Sequence, residues 1–258
     1  MLAEKRLLIT GIATPDSIAT ATARAAVALG ARVVCTAFPR DLDAAREVMA
    51  EVDSGVEVLP LDLCDRDAIA AVREQIHGRL GELDGALHAV AFAPRSALGG
   101  DFIEADPADI ELAFRTSAWT LASLTGLVRD LAPASGASVV GLDFDANGGA
   151  WPVYNWMGVC KAALRSAATY LARDLGAVGI RINLIAAGPL STRAANGIPN
   201  FDRLLDAWER TSPIPWSPTD PTPVADTACF LLSHYARAIT GEVVHVDGGY
   251  HAMAGPRP

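Results

Sequence analysis

Residues 6–31, "RLLITGIATPDSIATATARAAVALGA", decide the fold of this chain. The apolar run at 6–10 predicts a buried strand, and an Ala-rich helical pattern begins near Ser17, after a tight turn at Gly11. A strand, a glycine turn and a helix form the arrangement that binds dinucleotides, because the helix N-terminus offers free N–H groups to a pyrophosphate. Only Gly11 of the usual Gly-x-Gly-x-x-Gly pattern is present, so a simple strand–helix turn is the alternative. The Ser17 hydroxyl can donate to a ligand, cap the helix, or do both.

The same alternation of short β-branched runs and longer helical patterns continues along the chain. Strands are predicted at 6–10, 31–36, 56–60, 84–91, 136–142, 180–187 and 242–247. Helices are predicted at 17–29, 41–52, 65–79, 107–131, 152–176 and 221–234. Such alternation implies parallel strands joined by crossover helices, and strands that are apolar on both sides suit a sheet covered on both faces. We therefore predict an α/β fold: a Rossmann-like, doubly wound parallel sheet of about seven strands in a single domain, 1–258.

Composition excludes several classes of function. The chain has 258 residues, 51% of them hydrophobic, and a net charge of −9, which argues against a nucleic-acid surface. No apolar run is long enough for a membrane span, and no signal peptide fits the N-terminus. The four cysteines form no C-x-x-C pair and the histidines do not cluster with them, so we predict no metal site. We expect reduced thiols and a cytoplasmic protein, with Cys160 in a packing role.

One connection departs from the alternation. Residues 188–220 follow a strand and carry several Gly, Pro and Asn residues before a short helical pattern at 201–211. Open α/β sheets place substrate-covering lids in long connections at the carboxyl ends of strands. We predict a lid at about 189–212, and the alternative is a plain surface excursion.

The second and third strands end in residues that bear on the cofactor. The segment "TAFPR" lacks the acid that usually binds a ribose 2′-hydroxyl. Phe38 can stack on adenine, whereas Arg40 either favours a 2′-phosphate or is an exposed arginine without a partner. Asp62 can accept a hydrogen bond from the adenine amino group, or it can cap the next helix.

Tyr154 and Lys161 lie seven positions apart in "YNWMGVCK". Seven residues make almost two helical turns, which would put both side chains on one face about 10 Å apart. At that separation the ammonium lowers the pKa of the phenol less than a closer lysine would. We therefore predict that Tyr154 is a neutral hydrogen-bond donor. The alternative is a core tyrosine and a solvated lysine.

Together these segments resemble a known family. The segments "TAFPR", "LDL", "LHAVAFAP", "VVGLDFD", "YNWMGVCK", "AAGPLST" and "GEVVHVDGG" follow one another in the order and spacing of the enoyl-acyl-carrier-protein reductases. These are NADH-dependent members of the short-chain dehydrogenase/reductase superfamily. The resemblance covers about residues 5–252, and its most specific element is the Tyr-x6-Lys spacing preceded by "DFD". Ordinary superfamily members carry Tyr-x3-Lys, and Met157 stands at that tyrosine position here.

The resemblance implies hydride transfer from NADH, less readily from NADPH, to the β-carbon of a trans-2-enoyl thioester on acyl carrier protein or coenzyme A. Tyr154 would face the thioester carbonyl, Lys161 would bond the nicotinamide ribose, and Phe144 would sit beside the nicotinamide. The residues implied in cofactor binding are Gly11, Ile12, Ser17, Ile18, Phe38, Asp62, Leu63, Ala91, Leu142, Lys161, Ala187, Pro189, Leu190 and Thr192. The residues implied in substrate binding are Phe92, Met157, Ile198 and Phe201. Relatives assemble as tetramers, which implies a homotetramer formed through the helices near 107–131 and 152–176 and the final strand.

Two positions depart from the family pattern. Members commonly have Ser-x-Gly where this chain has Ala89-Val90-Ala91, and the methyl group of Ala91 can crowd a cofactor. The segment "RTSAWT" lacks the relay asparagine of many superfamily relatives, which fits enoyl reduction better than alcohol oxidation.

Two alternative functions remain: a carbonyl or activated-alkene reductase of the same superfamily, and an NAD-binding protein without catalysis. Basic residues that can meet a carrier protein near the lid are Arg193, Arg203 and Arg210, and the alternative for Arg203 and Arg210 is that they are solvated helix charges.

Overall fold

Within the described residues of the computed structural model, seven parallel strands form one sheet in the order β3-β2-β1-β4-β5-β6-β7. The structure describes residues 1–144, 149–151, 154–193 and 195–255, with the side chain of residue 196 excepted. The strands are β1 (Arg6–Ile9), β2 (Arg32–Ala37), β3 (Glu57–Pro60), β4 (Gly85–His88), β5 (Ala137–Asp143), β6 (Ile180–Ala187) and β7 (Val243–Val246). The predicted seven-stranded parallel sheet is thereby confirmed.

Helices cover both faces of the sheet, as predicted. They are α1 (Ile18–Ala28), α2 (Leu42–Val52), α3 (Arg66–Leu80), α4 (Arg95–Leu98), α5 (Pro107–Phe114), α6 (Thr120–Leu131), α7 (Asn155–Leu175), α8 (Asp202–Thr211) and α9 (Thr222–Leu232). One core packs α1, α2 and α9 against the sheet, and the other packs α3, α6 and α7 against the opposite face. The central strands therefore bury side chains on both sides, which explains their predominantly apolar sequences.

Three predicted elements differ from the structure in their bounds or continuity. The strand predicted at 84–91 ends at His88, because the next N–H, that of Ala89, bonds to the Thr10 hydroxyl (3.3 Å) instead of a neighbouring strand. The helix predicted at 107–131 contains a π-helical turn, Arg115–Trp119, between α5 and α6. The helix predicted at 152–176 begins at Asn155, so Tyr154 precedes its first turn. Residues 152 and 153, Asp145 of "DFD", residue 194 of the predicted lid and the last three residues lie outside the described ranges.

The strand order reverses between β1 and β4, and this is where open α/β sheets bind ligands, beyond the carboxyl ends of the strands. Gly11 follows β1 at that point with φ +82°, a left-handed conformation. A Cβ atom on Gly11 would lie 2.2 Å from the carbonyl oxygen of Ala89, at the end of β4. Only glycine lets these two segments approach so closely.

The segment 188–220 is fixed to the same edge of the sheet. Trp216 Nε1 donates to the Pro189 carbonyl (2.8 Å), and the Ser191 N–H donates to the Pro218 carbonyl (2.7 Å), which closes the segment at its base. Within it, α8 packs by Trp208, whose Nε1 donates to the Asp247 carbonyl beyond β7 (3.1 Å). The predicted short helix is therefore present, and it lies against the carboxyl edge of the sheet.

Candidate active site

The turn after β1 is arranged to receive an anionic group. Ser17 is the N-cap of α1, and its Oγ accepts a hydrogen bond from the Thr20 N–H (3.1 Å). Capping is thus one role of Ser17, and the other first-turn N–H groups of the helix have no intrahelical acceptor. The Thr14 hydroxyl is enclosed in this turn without a hydrogen-bond partner among the described residues. Together with the close approach at Gly11, these donors fit the pyrophosphate of a dinucleotide.

Phe38, after β2, is 43% exposed, which leaves the ring accessible to an adenine. The Arg40 guanidinium lies 5.0 Å from the centre of the Phe38 ring and 3.5 Å from Asp41. Arg193 of the 188–220 segment reaches Asp41 as well (3.1 Å). Arg40 therefore has partners, and the interpretation as an exposed arginine without one is wrong.

Asp62, beyond β3, does not cap the next helix. The N-cap of α3 is Asp65, which accepts hydrogen bonds from the N–H groups of Asp67 (2.8 Å) and Ala68 (3.2 Å). Among the described residues, the Asp62 carboxylate accepts a backbone hydrogen bond from the Cys64 N–H (2.8 Å) within its own turn. The capping alternative is wrong, and the second carboxylate oxygen of Asp62 is available to a ligand.

Lys161 lies in the second turn of α7 and is 6% exposed, so the alternative of a solvated lysine is wrong. Its Nζ donates to the carbonyl of Leu142 in β5 (2.7 Å), which uses one of three protons. Burial lowers the pKa of Lys161, and the negative charge of the neighbouring Asp143 opposes that shift. Asp143 is itself buried and paired with Arg165.

Tyr154 occupies the N-cap position of α7 and is 8% exposed. Burial, followed by the negative charge of Asp143, raises the pKa of the phenol above its ordinary value. The predicted neutral phenol is therefore favoured, and its main cause is burial rather than the spacing from Lys161. Both side chains line one cavity of about 610 Å³, and the described residues around it are Phe102, Phe144, Gly149, Ala150, Trp151, Tyr154, Asn155, Gly158, Val159, Lys161, Ala162 and Arg165.

An apolar cluster surrounds the tyrosine. It contains three of the four predicted substrate residues, Met157, Ile198 and Phe201, together with Phe144. Phe92, the fourth, is not in this cluster and is largely exposed. Its backbone is held by Ser117 of the π-helical turn, whose Oγ accepts from the Phe92 N–H (3.0 Å) and donates to the Phe92 carbonyl (2.9 Å).

Sequence reasoning identified Phe144 but missed three aromatic side chains that pack around it, Trp151, Trp208 and Tyr250. Phe144 lies 4.8 Å from the Tyr154 ring, 5.9 Å from Trp151 and 5.7 Å from Trp208, measured between ring centres. Trp208 stacks on Tyr250 at 3.8 Å, and Trp151 touches both. We call Phe144, Trp151, Trp208 and Tyr250 the aromatic wall. The two tryptophans and the tyrosine lie near predicted strand and lid ends, but their contact depends on packing between segments that are distant in sequence.

A buried histidine was also missed. His88 ends β4 and is fully enclosed, and burial lowers its pKa to about 3. The Thr120 hydroxyl donates to the Thr116 carbonyl (2.6 Å), so His88 Nε2 donates to Thr120 Oγ1 (2.9 Å) and the imidazole is neutral. Its Nδ1 has no partner among the described residues. His88 therefore contributes no charge to the site near neutral pH.

The remaining predicted cofactor residues fall into two groups. Ile12 and Leu63 bury their side chains in the two cores, so only their backbone is available to a ligand. The others lie on or beside the carboxyl edge of the sheet, with buried or half-buried side chains except at Ala91, which is exposed. They are Ile18, Ala91, Leu142, Ala187, Pro189, Leu190 and Thr192.

Several other kinds of site are not found in the part of the chain that the structure describes. Within 1–144, 149–151, 154–193 and 195–255, no group of three or more His, Cys, Asp or Glu residues is placed to hold a metal ion. No helix in those ranges is long and apolar enough to cross a membrane. All four cysteines are described and none forms a disulfide, and burial raises the pKa of the Cys160 thiol, which packs in the apolar cluster.

Comparison with known proteins assigns this chain to a family. A family model described as "Enoyl-(Acyl carrier protein) reductase" matches residues 11–251. The chain belongs to the enoyl-(acyl carrier protein) reductase family. It is 36% identical to an enoyl-[acyl-carrier-protein] reductase [NADH] of Mycolicibacterium smegmatis, covering 96% of this chain and 97% of the relative. It is 35% identical to the corresponding FabI enzyme of Bacillus cereus, covering 98% and 99%. It is 37% identical to that of Aquifex aeolicus, covering 98% and 93%.

The family assignment confirms the resemblance seen in the sequence motifs. The matched residues of this enoyl-(acyl carrier protein) reductase family member begin at Gly11 and include Tyr154, Lys161 and the whole 188–220 segment. The site described above is thus the part of the fold in which the family's chemistry is expected to take place.

Proposed function

We propose that this protein is an NADH-dependent enoyl-thioester reductase that acts on trans-2-enoyl groups carried by acyl carrier protein or coenzyme A. The observation that carries the proposal is the pair of buried side chains, Tyr154 and Lys161, on the wall of one cavity at the carboxyl edge of the sheet. Their spacing of seven residues and the family membership of the chain support the same reaction.

The residues present fit NADH. The donors of the turn from Gly11 to Ser17 would bind the pyrophosphate, and the exposed face of Phe38 would stack on the adenine. Asp62 would accept from the adenine amino group. Lys161 has two protons beyond its bond to Leu142, and these would bind the nicotinamide ribose hydroxyls. The edge residues 187–192 would contact the nicotinamide end.

The chain's own part in the chemistry centres on Tyr154. When bound, NADH supplies a hydride to the β-carbon of the acyl group, and negative charge then develops on the thioester oxygen. A neutral phenol in an apolar pocket stabilises that enolate by donating a hydrogen bond, and such donors have their greatest effect where water is excluded. The raised pKa of Tyr154 keeps the proton on the phenol in the resting enzyme. Phe144 packs against the phenol and would hold the reacting groups in position.

The lid and the lining complete the proposed substrate site. Met157, Ile198 and Phe201 would line the acyl group, with Phe92 at its exposed margin. The segment at about 189–212 would cover the bound substrate. Arg203 on α8 would be a contact for an acidic carrier protein, whereas Arg210 lies 4.0 Å from Asp206 of the same helix.

Assembly and compartment also belong to the proposal. Large apolar side chains stand exposed on the helices that were predicted to form a homotetramer, and they are Phe114, Trp119, Val159 and Tyr170. Exposed apolar surface of this kind marks protein–protein contact. The compartment we propose is the cytoplasm, on the composition and the cysteine usage described above.

Reduction of crotonyl-CoA, followed by the loss of NADH absorbance, tests the proposal. Replacing Tyr154→Phe should reduce kcat by about 10²–10³, the effect of removing one oxyanion donor, while NADH binding remains close to wild type. The matched control is Tyr235→Phe, because Tyr235 is exposed in the turn after α9. Turnover of a ketoacyl thioester with no turnover of crotonyl-CoA would establish the carbonyl reductase instead. NADH binding without reduction of any enoyl thioester would favour a protein without catalysis.

A further inference from the structure

Aromatic rings form part of the described lining of the catalytic cavity. Four of its described lining residues, Phe102, Phe144, Trp151 and Tyr154, are aromatic. Phe102 is fixed by stacking on Trp156, with ring centres 4.5 Å apart and planes at 8°. The other described lining residues are glycine, alanine and valine, apart from Lys161, Arg165 and Asn155, so the largest apolar side chains among them are aromatic.

Phe144 and Trp151 are also part of the aromatic wall, which continues from the cavity lining to Trp208 and Tyr250. Its neighbouring rings, Phe144, Trp151, Tyr250 and Trp208, have centres 3.8–5.9 Å apart. Rings at these separations touch along faces or edges. A methylene chain that left the cavity in this direction would have to separate them.

The wall is also fixed in place. Trp208 is 3% exposed, and its Nε1 donates to the Asp247 carbonyl (3.1 Å). Tyr250 stacks on Trp208 with ring planes at 10° and lies in the short turn that follows Asp247. Displacing Trp208 would break its hydrogen bond and open the apolar cluster, so the wall is a rigid surface rather than a movable side chain.

We propose that the preferred acyl group is planar and conjugated beyond the reacting double bond, with an aryl-substituted propenoyl thioester as its simplest form. A flat acyl group keeps its π-system in one plane and stacks on Trp151. A flexible alkyl chain of equal length loses rotational freedom on binding and gains no stacking. This inference rests on the proposed enoyl reduction and specifies its substrate class.

The test compares two thioesters with the same number of acyl carbons, cinnamoyl-CoA and trans-2-nonenoyl-CoA. The KM for cinnamoyl-CoA should be at least tenfold lower. KM is compared because conjugation with the ring also lowers the intrinsic reactivity of the alkene. Equal KM values, or a lower KM for trans-2-nonenoyl-CoA, would overturn the inference. Crotonyl-CoA serves as the reference: if it is not reduced, the proposed function itself fails, and if it is reduced, only the substrate class is in question.

Substitutions in the aromatic wall test whether its rings produce the difference in KM. Trp151→Leu should bring the ratio of the two KM values close to one, whereas Trp151→Phe should retain most of the preference, because it keeps a ring at the position. Tyr250→Leu acts on the same wall from outside the cavity and should also reduce the ratio. Tyr235→Leu is the control, since it removes an exposed ring in a turn beside the amino ends of the strands. A ratio unchanged in Trp151→Leu and Tyr250→Leu would show that the wall does not select the substrate.

Discussion

Asp143 ends β5 with one carboxylate oxygen paired to Arg165 and the other without a hydrogen-bond partner among the described residues. A buried carboxylate in this position is costly, and burial raises its pKa. Its charge acts on both Tyr154 and Lys161. It favours the neutral phenol and the charged ammonium, the two protonation states that the proposed reaction requires. Asp143 is therefore a positioning residue whose effect is electrostatic.

Replacing Asp143→Asn should shift the pH dependence of NADH binding. Burial lowers the pKa of Lys161 and the Asp143 charge opposes that shift, so removing the charge lowers the pKa further. Lys161 would then lose its proton at a lower pH, and the alkaline limb of NADH affinity should move down by roughly 1 pH unit. Fluorescence titration with NADH across the neutral and alkaline range measures it.

Asp174→Asn is the control for this shift, because Asp174 pairs with Arg173 on the exposed C-terminal turn of α7. It should leave the alkaline limb where it is in the wild type. An unchanged limb in Asp143→Asn would mean that Asp143 does not set the charge state of Lys161.

The roles of some site residues could be predicted from the sequence, and those of others could not. The pair Tyr154 and Lys161 could be found, because their spacing along the chain is itself the signal. Asp143 and His88 could not, since their burial depends on packing between β4, β5 and two helices that lie far away in sequence. Asp62 was ambiguous for a local reason: Asp65, three residues later, is an equally good capping residue and takes that position.

At the scale of the elements, hydrophobic pattern predicted all seven strands and the principal helices, because a doubly covered sheet imposes apolar strands and amphipathic helices. It could not predict where side-chain hydrogen bonds end an element. Thr10 captures the N–H that would extend β4, and Ser117 in the π-helical turn captures the backbone of Phe92. Single-turn π-helical insertions are frequent at functional sites, and this one supports the segment beside the cavity.

Two glycines allow a test of how the elements meet. Gly11→Ala should lower the free energy of unfolding by roughly 3 kcal/mol or more, because its Cβ would lie 2.2 Å from the Ala89 carbonyl and its φ is +82°. Gly78→Ala should raise it by about 0.5 kcal/mol, since Gly78 is in the last turn of α3 and its Cβ would meet nothing within 4 Å. Urea unfolding of both variants measures the difference. Tolerance of alanine at position 11 would contradict the described turn.

At the scale of the whole molecule, packing within one chain does not cover the apolar surface of α5, α6 and α7. Phe114 is 47% exposed at the end of α5, and Trp119, Val159 and Tyr170 stand on the neighbouring helices. Composition did not reveal this, because scattered exposed apolar residues are normal and only their positions on adjacent helices make a surface.

The variant Phe114→Glu should dissociate the proposed tetramer. A carboxylate without a partner in a buried contact costs roughly 3 kcal/mol or more, and closed symmetry repeats that cost at each copy of the contact. Light scattering after size-exclusion chromatography should show a smaller species. Val178→Glu is the control, because Val178 is equally apolar and exposed but lies in the turn between α7 and β6. A tetramer unaffected by Phe114→Glu would place the contact elsewhere.

The aromatic wall has a consequence for how this protein can change over generations. Its four rings come from four separate segments: the end of β5, the residues before α7, the helix α8 and the turn after β7. Losing any one ring leaves the other three in contact around a gap, so a single substitution is more apt to damage packing than to create a new specificity. A lineage that acquired a different substrate would have to alter the rings together or pass through a less stable intermediate. A new specificity at this wall therefore requires coordinated changes in its four rings.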